Sequence, residues 1–155
     1  MTFTLTSTDL VEGATLGLAQ VHGGLGGGNR SPQLAWQGEP AGTQSFAITC
    51  YDPDAPTGSG WWHWLLVNLP PGLHALAAGA PMPAGAQSGR NDYGETGFGG
   101  AYPPKGDAPH RYIFTVWALD VPRLELPELP SGAMVGFNLH AHALAKATLT
   151  GRWGH

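Results

Sequence analysis

Four short segments of this 155-residue chain carry residues whose types and spacing can do chemistry. The first, Tyr51-Asp52-Pro53-Asp54-Ala55-Pro56, puts two carboxylates directly after an apolar run. Its prolines fix the backbone, so the acids are held in a rigid turn. The second, Trp61-Trp62-His63-Trp64-Leu65-Leu66-Val67-Asn68, sets an imidazole among aromatic rings. Strand alternation would place Trp62 and Trp64 on one face and Trp61 and His63 on the other. The third is Gly99-Gly100-Ala101-Tyr102-Pro103-Pro104-Lys105-Gly106, whose glycines let a ligand approach backbone N–H groups closely. The fourth, Pro109-His110-Arg111-Tyr112, opens a strong strand with His110 and Tyr112 on one face and Arg111 opposite. Together they supply two carboxylates, two imidazoles, a phenol and backbone donors. Such a set suits an anion held by N–H and O–H groups, with the acids orienting the imidazoles and favouring their protonated forms. Each piece alone has a plain structural reading: Asp-Pro-Asp is an ordinary turn, and a His among aromatics is commonly a satisfied core residue.

The elements that must position these groups read mainly as strands. β-Branched and aromatic runs bounded by Pro and Gly fall at 33–36, 45–51, 63–69 and 110–119. Met1 to Leu5 alternates in a strand-like way, and 147–153 suits a closing strand. One helix is expected, from Met134 to Ala147, where Val135, Leu139, His142 or Ala143, and Lys146 or Ala147 recur at helical spacing. Ser131 is its candidate N-cap. Gly23-Gly24-Leu25-Gly26-Gly27-Gly28-Asn29 reads as a mobile loop. It lacks the Gly-Lys-Ser/Thr ending of a phosphate-binding P-loop and has no strand-and-helix context. Strands first and one late helix imply an all-β protein with minor α.

Composition narrows the class. With 42% apolar residues the chain is not a disordered one, and its length suits one domain over residues 1–155 with a full core. The 24 glycines and 14 prolines fit many short strands joined by turns. A formal net charge of −4 speaks against nucleic-acid binding and against adsorption to an anionic membrane. The single cysteine, Cys50, reads as core packing. No secretory signal or spanning segment is visible, so a cytoplasmic location is expected.

The four segments occur in an order and spacing that resembles the phosphatidylethanolamine-binding protein family in its short bacterial, Raf kinase inhibitor-like form. Asn29-Arg30-Ser31-Pro32 with Leu34 and Trp36, and Gly42-Thr43-Gln44-Ser45, extend the likeness over nearly the whole chain. The resemblance implies a two-sheet antiparallel β-sandwich with a C-terminal helix. It also implies a pocket for a phosphate-bearing or other anionic ligand, made by Asp52, Asp54, Pro56, His63, Gly100, His110 and Tyr112. A cis Ala55–Pro56 peptide and pairing into homodimers are further expectations, the latter supported by six tryptophans that would leave an aromatic patch. Two departures stand out. Tyr102 falls where this branch often has Cys, so it would narrow or cover the pocket. The long C-terminal extension of eukaryotic relatives is absent, so the kinase partners of animal relatives do not carry over.

Competing functions have less support. Asp52 beside His63 or His110 resembles a catalytic Asp–His pair, but no Gly-x-Ser-x-Gly nucleophile elbow accompanies it. His63, His110 and an Asp offer three zinc-type ligands without a His-Glu-x-x-His or paired-Cys signature. His140 and His142, two apart, stand about 200° apart on a helix and cannot share a metal there. His142 is expected to pack or hydrogen-bond at the helix base. Inhibition of a protease or kinase rests on fold-level analogy. The expected protein is therefore a non-enzymatic binding or regulatory module without a cofactor.

Overall fold

The computed structural model describes residues 2–155. Its strands are β1 (Thr4–Thr6), β2 (Leu34–Gln37), β3 (Ser45–Asp52), β4 (Trp61–Leu69), β5 (Ala75–Leu76), β6 (Gln87–Ser88), β7 (His110–Leu119) and β8 (Ala143–Trp153). The helix α1 spans Gly132–His142. Two antiparallel sheets result, one of three strands in the order β1-β2-β5 and one of five in the order β6-β4-β3-β7-β8. The strand segment expected from Met1 is β1. Met1 itself lies outside the described residues.

The central strands β3 and β7 are buried along nearly their whole length because the large sheet is covered on both faces. Phe46, Ile48, Cys50, Phe114 and Val116 point toward the small sheet and meet Leu5, Leu34 and Trp36. Ala47, Trp117 and Leu119 point the other way and pack with Leu65, Val67, Leu124, Val135 and Leu139 under α1. The free thiol of Cys50 lies in the first of these cores, and burial pushes its pKa well up. Trp117 donates its Nε1–H to Thr49 Oγ1 at 3.0 Å, which satisfies both buried polar groups in the second core.

Four expectations are corrected here. The helix ends at His142 rather than Ala147, and 143–153 forms one unbroken strand. Ala143, Lys146 and Ala147 fit a helix by propensity, but they pair with β7, Lys146 opposite Trp117 and, past a one-residue register shift, Ala143 opposite Leu119. Tertiary pairing therefore overrides local preference. Ser131 does cap α1, accepting the Met134 N–H at 3.1 Å, and His142 does bond at the helix base, to Asp120 Oδ1 at 2.9 Å. Secondly, the glycine-rich segment, though largely exposed, is tied by backbone hydrogen bonds and includes a short 3-10 turn. His22 O accepts the N–H groups of Leu25 and Gly27, and Val21 O accepts that of Asn29. A Cβ on Gly27 would lie 2.1 Å from Val21 O.

Thirdly, Trp62 and Trp64 occupy opposite faces of the sheet. Cys50 pairs with Trp64 while Tyr51 pairs with Trp62, so His63 is the extra residue of a β-bulge. The bulge sends Trp64 into the inter-sheet core and leaves Trp62 beneath α1. Finally, no tryptophan is exposed. The exposed large apolar side chains include Phe137, Met134 and Leu144, from α1 and the start of β8. No helix among the described residues is long and apolar enough to cross a membrane.

Candidate functional site

At one end of the large sheet the inward-facing residues of β3, β4 and β7 stop meeting the small sheet and line a cavity of about 390 Å³. β3 ends there in Asp52, β4 begins with Trp61 and the bulged His63, and β7 begins with His110 and Tyr112. Ala55, Pro56 and Thr57 from the acidic turn, with Tyr93, Tyr102, Pro103 and Pro104, complete the wall. A separate apolar cavity of about 90 Å³, lined by Trp64, Leu66, Phe98 and neighbours, contains no ionisable group.

The strand order explains the convergence. β3 lies between β4 and β7, so Asp52, His63 and His110 are neighbours although 58 residues separate Asp52 from His110. Asp52 is 2% exposed. Its Oδ1 accepts the Asp54 N–H at 2.7 Å, closing the acidic turn, and its Oδ2 bonds His110 Nδ1 at 2.7 Å. On the opposite edge of that ring, Nε2 meets Asp107 Oδ2 at 2.8 Å. A neutral imidazole has one N–H and one lone pair. Two carboxylate partners therefore require both nitrogens to carry hydrogen, making His110 an imidazolium. Burial works against that charge, but Asp52 and Asp107 outweigh it and raise the pKa.

His63 is in the reverse condition. Its Nδ1–H donates to Gly99 O at 2.7 Å, which leaves Nε2 as an acceptor. Burial lowers its pKa, only partly opposed by the Gly99 carbonyl and Asp52. Tyr93 and Tyr112 pack edge-on against the ring, with centroids 5.6 and 5.1 Å away. Burial pushes both phenols far above their ordinary pKa, so each keeps its proton. Tyr93 donates to Gly100 O at 2.7 Å. Tyr112 Oη and Trp61 Nε1, however, are buried without a partner among the described residues, and both residues line the cavity. Trp36 and Trp153 also have unpartnered indole N–H groups but lie outside the lining.

Of the seven residues carried over by motif, Asp52, Pro56, His63, His110 and Tyr112 line the cavity, whereas Asp54 and Gly100 do not. Asp54 turns outward. It accepts from Arg111 Nε at 3.0 Å, Arg111 Nη2 at 2.8 Å and the Arg111 backbone N–H at 2.9 Å. The Arg111 guanidinium holds its pKa down at about 2. Gly100 is spent on packing. Its N–H donates to Asn29 Oδ1 at 2.7 Å, and a Cβ would lie 2.6 Å from backbone atoms of Gln20, Val21 and His22.

The Ala55–Pro56 peptide is trans, since no peptide bond among the described residues is cis. The Asp52 side chain and a 2.7 Å bond from Thr57 N–H to Ala55 O fold the turn without it. Sequence reasoning also missed His22, Tyr93 and Asp107. The ring of His22 lies between those of Tyr93 and Tyr102 in tilted contacts, with centroids 4.8 and 5.1 Å away. None of the three sits in a distinctive motif. Only the three-residue step from Asp107 to His110 hinted at contact.

This fold is a two-sheet antiparallel β-sandwich with one C-terminal helix. The family model for phosphatidylethanolamine-binding proteins matches residues 6–154, and the chain belongs to that family. It is 55% identical to the Escherichia coli protein YbhB over 153 residues, covering 94% of this chain and 96% of YbhB. The crystal structure of Escherichia coli YbcL, described as a member of the mammalian PEBP family, superposes with a TM-score of 0.95 at 48% identity, covering 99% of this chain and 98% of YbcL. A homologue from Chlamydia trachomatis gives a TM-score of 0.86 at 31% identity, covering 99% and 97% of the two chains.

Proposed function

We propose that this protein is a non-catalytic binding module that holds a phosphate-bearing or similarly anionic small ligand in the 390 Å³ cavity. The observation that carries the reading is the pair of orphaned donors, Tyr112 Oη and Trp61 Nε1, in the wall of that cavity. A buried donor without a partner costs roughly 1–3 kcal/mol. A ligand acceptor that reaches either donor offsets that cost. An anion would also draw a proton onto His63, adding a third donor on the same wall. No Ser, Thr or Cys side chain among the described residues is hydrogen-bonded to His63 or His110, which supports a binding role. Both nitrogens of His110 are bound to carboxylates, which leaves the ring neither a general base nor a metal ligand. A phospholipid headgroup, a nucleotide phosphate and a phosphorylated partner share the chemistry the cavity selects.

Calorimetric titration with inorganic phosphate at about pH 6 and about pH 8 tests the reading, because the ordinary His pKa of about 6.5 lies between them. Affinity is expected to fall at the higher pH as His63 becomes harder to protonate. Equal affinity at the two values, unchanged in Tyr112→Phe, would show that the anion is held elsewhere.

A further inference from the structure

In the arrangement described above, His110 has no hydrogen to offer a ligand. The imidazolium in the cavity wall is saturated by two acids, Asp52 on Nδ1 and Asp107 on Nε2. The acids differ in how replaceable they are. The Asp52 side chain is 3% exposed and is tied by a second bond to the Asp54 backbone. The Asp107 side chain is 39% exposed and sits on a short turn just before β7, closed by its own N–H to Pro104 O at 3.2 Å. Asp107 faces a shallow outer hollow that it shares with His110, Arg111 and Arg152. Arg111 is committed to Asp54. Arg152, its register partner on β8, forms no ion pair among the described residues.

We infer that Asp107 is an internal stand-in for the ligand's anion: it occupies the Nε2–H of His110 in the free protein and yields it to an entering phosphate, turning to Arg152 instead. This rests on the reading of the cavity as an anion site. The chemistry requires such an exchange if His110 is to contact the ligand at all. A phosphate oxygen and the Asp107 carboxylate both seek one N–H, and two anions cannot share it without repulsion. Arg152 supplies what makes the exchange affordable, a cation in the same hollow for the released carboxylate. The free protein is then a closed state, and its measured affinity is the intrinsic one reduced by the fraction that is open.

The test is calorimetry with inorganic phosphate on the wild type, Asp107→Ala, Arg152→Gln and the double variant, each checked for an intact thermal transition. Removing the competing carboxylate should tighten phosphate binding by roughly tenfold, as expected for a binding-competent state populated to about a tenth. Arg152→Gln should weaken binding in the wild type and have no effect once Asp107 is gone. Unchanged or weaker binding by Asp107→Ala overturns the proposal. So does an equal loss from Arg152→Gln in both backgrounds, which would mean that Arg152 touches the ligand directly. If Tyr112→Phe still weakens binding in that case, the cavity reading stands and only the role of Asp107 falls. If phosphate binds none of the proteins, both fall. Nitrogen NMR of the His110 ring in the ligand-free wild type gives a separate check. Two protonated nitrogens are expected, and a bare Nε2 would exclude the Asp107 contact whatever the titrations show.

Discussion

The two ends of the cavity wall hold histidines of equal burial but unequal charge, one neutral and one cationic. His63 and His110 are each 3% exposed, and they approach the same space from β4 and β7. Burial alone pushes both toward neutrality. His63 obeys, because its one strong partner is a carbonyl oxygen. His110 does not, because acids grip it from both sides. Partners, not depth, decide the charge of a buried imidazole here. The same contrast divides the acidic turn. Asp52 faces inward and sustains a charge in the wall, while Asp54, two residues on, faces outward and binds Arg111.

The most damaging way to break the contrast is Asp52→Ala. It strips the imidazolium of its buried partner and should destabilise the fold by about 3 kcal/mol, the low end for breaking a buried pair because Asp107 remains. Urea unfolding measures the loss, and proton NMR should show the His110 pKa falling toward that of His63. A loss near zero would mean that His110 is not charged in the native protein. His110→Ala is severe for the same reason. The ring is buried rather than at a rim, so its removal leaves Asp52 uncompensated.

The next effect lies in pH, where the two histidines have opposite signs. The raised pKa of His110 contributes stability that is complete below its unfolded value of about 6.5 and is lost as pH climbs through its folded value. The lowered pKa of His63 contributes stability present above about 6.5 and lost as pH falls toward its folded value. His110→Gln should therefore flatten the alkaline side of the stability profile, and His63→Gln the acid side. Urea unfolding at about pH 5 and about pH 8, on either side of the unperturbed value, tells the two apart. Matching slopes in both variants would contradict the assignment.

A smaller effect separates binding from stability. Tyr112→Phe removes a donor that nothing among the described residues satisfies, so stability should hold or rise by up to about 1 kcal/mol. Phosphate binding should weaken by about 1–1.5 kcal/mol, the value of one hydrogen bond. A thermal melt and one titration suffice, and a destabilised variant with normal affinity would make the hydroxyl structural. Smallest of all is Asp54→Asn. Its partner Arg111 is exposed, so the ion pair adds little, and phosphate affinity should not change measurably. Loss of binding in this variant would return Asp54 to the site.

Much of this was legible in the residues themselves. The boundaries of β7 follow from its β-branched and aromatic residues between Pro109 and Asp120, and the N-cap of α1 from Ser131. The alternation of His110, Arg111 and Tyr112 sufficed to put the first and third inside and the second outside. Other features depend on what a segment meets, which no local pattern records. Ala143 to Ala147 has the propensity of a helix and becomes a strand because the edge of β7 needs a partner. Trp62 and Trp64 part company because β4 carries one residue more than β3 opposite His63. Asp52 and Asp54 are chemically identical in sequence, and only the positions of His110 and Arg111 across the sheet assign one to the cavity and the other to solvent. The chain by itself determined which chemical groups were available and which strands would carry them. Tertiary structure decided their charges and partners, because a pKa and a hydrogen bond are properties of a neighbourhood assembled from residues far apart in sequence.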